Sequence, residues 1–152
     1  MIYIMVALKA EAQAFVDKFK LQNHKNDKIS IIISGMGKEN MKISTCQILK
    51  DVKDEDKIVN VGICGACKKY AIGELIDGIK TKITCIDYEA HDKIYEIVDM
   101  ESAGFLEATK DIKNRYIFKI VSDNFEPKTV TKDRAKKLIF DKIDEIMRRV
   151  ER

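Results

Sequence analysis

Long hydrophobic runs, proline and charge of one sign are all scarce in this sequence, and each scarcity excludes something. The most apolar opening stretch, Met1-Ile2-Tyr3-Ile4-Met5-Val6-Ala7-Leu8, is too short to span a bilayer. It has no basic leader and runs straight into Lys9 and Glu11, which argues against a secretory signal. The 28 basic and 25 acidic residues leave a formal net charge of +3 and form no block, so neither nucleic acid nor a membrane surface is an expected partner. The four cysteines (Cys46, Cys64, Cys67, Cys85) lie in or beside apolar runs without the density of a disulfide framework, and a reducing cytoplasm is the expected compartment. Pro127 is the only proline, and there is no linker, repeat or low-complexity segment. The 152 residues are therefore expected to form a single domain over 1–152, long enough to bury its own core.

What is present is an alternation of strand-like and helix-like patterns. Residues 2–7 read as a strand, and Ala12, Phe15, Val16 and Phe19 then recur with the period of one helix face. Residues 29–34 form a β-branched apolar run of the kind covered on both sides. A turn at Gly35-Met36-Gly37 leads to a helix over 38–50 that buries Met41, Cys46 and Leu49. Residues 57–61 read as a third strand, ending in a glycine-bearing loop over 62–66. Short strands are expected at 72–76, 80–86 and 94–98, a helix over 101–112, and a strand over 116–121. The last helix carries one continuous stripe of Ala135, Leu138, Ile139, Ile143, Ile146, Met147 and Val150, with Thr131 as its N-cap. The order β-α-β-α-β, then α-β-α, predicts an α/β fold of three layers, α/β/α, around a central mostly parallel, mixed sheet.

In such sheets ligands bind beyond the carboxyl ends of the strands. The segments there are Ala10-Glu11-Ala12, Ser34-Gly35-Met36-Gly37, Gly62-Ile63-Cys64-Gly65-Ala66 and Ser122-Asp123, while Val98-Asp99-Met100-Glu101-Ser102-Ala103 opens a helix. Together they predict three carboxylates, Glu11, Glu101 and Asp123, on one rim. Each alone has an ordinary structural role, Glu11 and Glu101 as partners of a helix dipole and Asp123 as a turn cap. Other motifs carry less. Cys64-Gly65-Ala66-Cys67 has the spacing of redox and zinc sites but lacks a second ligand pair, so no metal is expected. Gly35-Met36-Gly37 lacks the third glycine of a dinucleotide fingerprint, and no cofactor is implied. His24 and His91 sit in polar loops and read as solvated.

Taken in order, Ala7-Leu8-Lys9-Ala10-Glu11, Ser34-Gly35-Met36-Gly37-Lys38, Asn60 through Ala66, Val98 through Ala103 and Ile120-Val121-Ser122-Asp123 resemble the nucleoside phosphorylase/nucleosidase superfamily, which includes methylthioadenosine/S-adenosylhomocysteine nucleosidase. Met100-Glu101-Ser102-Ala103 and Ser122-Asp123 are the most specific marks, and the likeness covers residues 1–76 and 80–150. The resemblance implies that Glu101 accepts hydrogen bonds from the ribose hydroxyls and that Met100 packs under the sugar. Asp123, oriented by Ser122, would hold or protonate N7 of a purine, and Glu11 would position the attacking water. Gly62 and Gly65 belong to the turn under the ribose, and Tyr88 resembles an aromatic residue that stacks on the base. Positive charge builds on the sugar and negative charge on the base as an N-ribosidic bond breaks, and carboxyl groups on the two sides answer both.

Two departures qualify the resemblance. Phosphorylases of the superfamily hold phosphate with arginines, but the first arginine here is Arg115; near the early loops there are only Lys9 and Lys38, which cannot supply a bidentate fork. Water is thus favoured over phosphate as the acceptor. The stretch between Gly73-Glu74-Leu75 and the Met-Glu element is also shorter than in the family, where it helps build the base and 5′ pockets and a dimer interface. A shallow site is therefore expected, with a homodimer supplying a missing wall. The expected function is a purine nucleosidase acting on a small-molecule nucleoside, with a purine phosphorylase or a non-catalytic nucleoside- or base-binding protein as alternatives.

Overall fold

Period-two alternation in the three longest buried strands divides the core between two helical layers. The computed structural model describes residues 1–89 and 94–152. Its elements are β1 (Ile2–Val6), α1 (Lys9–Phe19), β2 (Ile29–Ile33), α2 (Lys38–Ile48), β3 (Lys57–Ala66), β4 (Leu75–Asp77), β5 (Thr84–Cys85), β6 (Ile97–Asp99), α3 (Ser102–Ala108), β7 (Arg115–Asp123), a 3₁₀ turn (Pro127–Thr129), α4 (Lys132–Phe140) and α5 (Ile143–Glu151). Ile4, Val6, Val59, Val61, Phe118 and Ile120 face one way and pack against Ala12 and Phe15 of α1 and against Ile139, Ile143, Ile146 and Val150 of the last two helices. Their neighbours Met5, Ile58 and Ile117 face the other way, onto Met41 of α2 and Phe105 of α3. This is the three-layer α/β/α arrangement.

The sheet is mixed. β1 lies parallel between β2 and β3, and β7 runs parallel along the other edge of β3. β4 is antiparallel to β7; β6 is antiparallel to the last residues of β3 and carries β5 in parallel. No described helix is long and apolar enough to cross a membrane.

Several boundaries differ from the expectation. Residues 62–66 are not a loop but the end of β3, because β7 and β6 supply hydrogen-bonding partners on both edges there. β7 likewise extends to Asp123, so Ser122-Asp123 end the strand instead of following it. The middle strands are shorter than expected, and α3 stops at Ala108. Cys46 is exposed and Leu49 only half-buried. The final apolar stripe is buried as expected but by two helices: Lys142 N bonds back to Ile139 O at 2.9 Å, a tightened turn that separates α4 from α5. Thr131 does cap α4, its Oγ1 accepting from Arg134 N at 3.1 Å. His91 lies outside the described residues.

One close approach fixes how Glu101 is presented. A methyl on Gly104 would lie 1.9 Å from Lys38 O, so only glycine lets the starts of α2 and α3 meet. That contact brings Glu101, the residue before α3, against the backbone of Gly37.

Candidate active site

The site begins with the start of α1. Leu8 occupies the N-cap and has no side-chain acceptor, so the orphan donors of the first turn turn to the third helical residue. Glu11 Oε1 accepts from Leu8 N at 2.8 Å and from Ala7 N at 3.0 Å, the return half of a capping box. Its Oε2 accepts from Ile63 N at 3.2 Å, which ties α1 to β3. Glu11 is therefore held by three backbone donors and is only 2% exposed. Burial is the largest influence on its carboxyl, followed by the opposing charge of Lys119; the balance pushes it up to about 7.

Glu101 is positioned by the α2–α3 contact, its Oε2 accepting from Gly37 N at 2.9 Å. Burial raises its carboxyl above the ordinary range, with Lys119 again the main opposing charge. Asp123 owes its place to a bulge. Cys64 pairs with Val121 and Gly65 with Asp123, leaving Ser122 as the extra residue on β7. The break in alternation lets adjacent residues meet: Ser122 Oγ lies 2.7 Å from Asp123 Oδ1 and 3.2 Å from Cys64 O. Asp123 Oδ2 accepts from Glu126 N at 2.8 Å, which folds the chain back after the strand.

Glu11, Met100, Glu101, Ser122, Asp123, Gly65 and Tyr88 all line one cavity of about 500 Å³. Its volume is that of a small-molecule site. Gly62 does not line it. A methyl there would lie 3.0 Å from Glu11 Oε2 and 3.2 Å from Lys119 Nζ, so this glycine makes room for charged side chains. Phe125, Pro127 and Val130, all following Asp123, supply an apolar wall, and Ile86 and Val98 another. Tyr88 stands at the edge, 56% exposed. Among the described residues no arginine lines the cavity, and Arg115 donates to Thr109 O at 3.0 Å.

Sequence reasoning missed the centre of the charge network. Lys119 is 1% exposed and pairs with buried Asp99 at 3.0 Å. Burial works to lower its ammonium, but Asp99, Glu101 and Glu11 outweigh that and hold it at about 12. The signal was a lone lysine in the apolar run Ile117-Phe118-Lys119-Ile120-Val121, since a fully buried lysine demands a partner. The Cys64 thiol is buried and pushed well above its ordinary range, the opposite of a reactive cysteine. No group of three or more metal-ligating side chains occurs among the described residues.

No family model matches the chain, and no curated protein matches it in sequence. Solved structures do. The 5′-methylthioadenosine/S-adenosylhomocysteine nucleosidase of Helicobacter pylori, solved with butyl-thio-DADMe-Immucillin-A, matches at a TM-score of 0.78 and 14% identity over 99% of this chain and 97% of that one. The corresponding enzyme of Neisseria meningitidis, in complex with methylthio-immucillin-A, matches at 0.75 and 14% over 99% and 97%. Futalosine hydrolase of Helicobacter pylori matches at 0.71 and 14% over 95% and 97%. At these identities the likeness is one of architecture: this chain has the nucleoside phosphorylase/nucleosidase fold that the three enzymes share.

Proposed function

We propose that this chain is a purine nucleosidase that hydrolyses the N-ribosidic bond of a nucleoside such as 5′-methylthioadenosine or S-adenosylhomocysteine. The observation that carries this reading is the convergence of Glu11, Glu101 and Asp123 on one cavity. Glu101 accepts hydrogen bonds from the ribose hydroxyls, with Met100 beneath the sugar. Asp123, oriented by Ser122, gives a proton to N7 as the C1′–N9 bond breaks and its electron pair passes to the base. Water adds to C1′, and Glu11 takes its proton. A group that must accept a proton near neutral pH works best with a pKa there, which suits the elevated Glu11 carboxyl. The absence of arginine from the cavity lining supports water over phosphate as the acceptor. Tyr88, at the open edge, stacks on the base, and a second copy of the chain closes that edge in a homodimer. Purine metabolism in the cytoplasm is the setting this chemistry suits.

Incubation with 5′-methylthioadenosine in phosphate-free buffer, followed by chromatography, tests the reading. Release of free adenine is expected. Release only on addition of phosphate makes the protein a phosphorylase, and tight binding without release makes it a binder; either result overturns the proposal. Sedimentation tests the dimer.

A further inference from the structure

The Asp99–Lys119 pair takes no part in the chemistry assigned above, although Asp99 lines the cavity and Lys119 lies behind it. Its geometry ties the two sugar-side carboxylates together. Asp99 Oδ1 accepts from Ser102 Oγ at 2.6 Å and its Oδ2 from Ser102 N at 2.8 Å, so the anion is fastened to the start of α3, next to Glu101. Lys119 pairs with Gly62 in the β3–β7 ladder, and its Nζ reaches across the space that a Gly62 side chain would fill, where Glu11 Oε2 also lies. One cation on β7 thus faces carboxylates from three elements: Glu11 on α1, Asp99 on β6 and Glu101 ahead of α3. The remaining ionisable groups facing it are the Cys64 thiol on β3 and, beyond that, Asp123.

Stability does not account for such a pair. Burying two charges costs about as much as their attraction returns, and apolar residues of similar volume often do as well. We infer that Lys119 and Asp99 are positioning residues for the hydrolytic site: the ammonium holds Glu11 in place with its carboxylate charged, and Asp99 tempers that ammonium. Three carboxylates against one cation leave the cluster with excess negative charge, so the state of Glu11 depends on how much of the lysine's field reaches it. Lys119 is the largest influence opposing burial at Glu11, and also at Glu101. Asp99 pairs with the ammonium and reaches Glu11 through it, so removing Asp99 should act on Glu11 with the sign opposite to removing Lys119.

The kinetic consequence rests on the nucleosidase reading, but the titration does not, and the test uses both. Glutamate side-chain carboxyls are followed by ¹³C NMR through a pH titration, with Glu11→Gln identifying the Glu11 resonance. The midpoint in Lys119→Met is expected to rise by about one pH unit or more, the effect of losing an opposite charge at close range. The midpoint in Asp99→Asn is expected to fall. The double variant Lys119→Met/Asp99→Asn removes both members of the ion pair and secures a folded comparison if the first single variant does not fold; its midpoint is expected above wild type, because Glu11 loses the cation that opposes its burial. The acidic limb of adenine release should move in the same directions, which a merely structural role would not produce. An unshifted Glu11 midpoint in the folded double variant, or shifts of the same sign in both single variants, overturns the inference. If the midpoints move as expected but wild type cleaves no nucleoside, the nucleosidase reading falls and the electrostatic assignment stands.

Discussion

The two sides of the cavity are built by different means. On the side proposed to take the sugar, Glu11, Glu101, Asp99 and Lys119 are all buried and meet where α1, β3, β6, β7 and the start of α3 converge. On the side proposed to take the base, Asp123 is set by a strand bulge, and its surroundings come from Tyr88, Phe125 and Pro127, which lie outside the regular elements or in a single 3₁₀ turn. The difference teaches where tuning resides. Burial raises the carboxyls of Glu11 and Glu101, and both share the opposing field of Lys119. In the proposed reaction the other side supplies shape and the proton donor.

Substitutions can break that division, beginning with the largest effect. Asp123→Asn should leave the fold intact, because an amide oxygen can still accept from Glu126 N. It should lower turnover by about 10²–10⁴, the usual contribution of a general acid. Steady-state adenine release decides this, and unchanged turnover would reduce Asp123 to a turn residue.

The second effect is on stability and belongs to Glu11. Its folded carboxyl, at about 7, lies above its ordinary 4.5, so between those values the folded state binds more protons than the unfolded. The contribution of Glu11 to stability should therefore be fully present below 4.5, fall as pH rises to about 7 and then level off. The loss is on the order of 3 kcal/mol at 1.36 kcal/mol per unit. Glu11→Gln should remove most of that slope, which urea unfolding at pH 5 and pH 8 would show. Equal slopes in the two proteins would place the perturbation elsewhere.

The smallest effect belongs to the edge. Tyr88→Ala should raise KM for the nucleoside several-fold, in keeping with about 1 kcal/mol for an aromatic contact, and leave the urea midpoint unchanged. A loss of stability, or a loss confined to kcat, would contradict its assignment to an exposed base-side wall.

The same two regions differ in how far they could be read from sequence. The carboxylates were legible because each ends or follows a strand in a short, ordered motif. The order of strand-like and helix-like segments likewise predicted both helical layers. The extension of β3 through Gly62 and Gly65 was not legible, since glycine is poor in strands and only pairing with β6 and β7 stabilises it there. The bulge at Ser122 is invisible for a similar reason: it is a property of register between distant segments. The split after Phe140 escaped because the apolar stripe continues in register across it. Lys119 was legible in principle but not its partner, which comes from a three-residue strand formed far along the sheet.

Adenine release from 5′-methylthioadenosine in phosphate-free buffer, measured across pH for wild type and Glu11→Gln, tests the central claim most directly. Hydrolysis through a buried Glu11 predicts release that rises as pH passes about 7 in wild type and is lost in the variant. Release that persists in Glu11→Gln, or that appears only when phosphate is supplied, would contradict it.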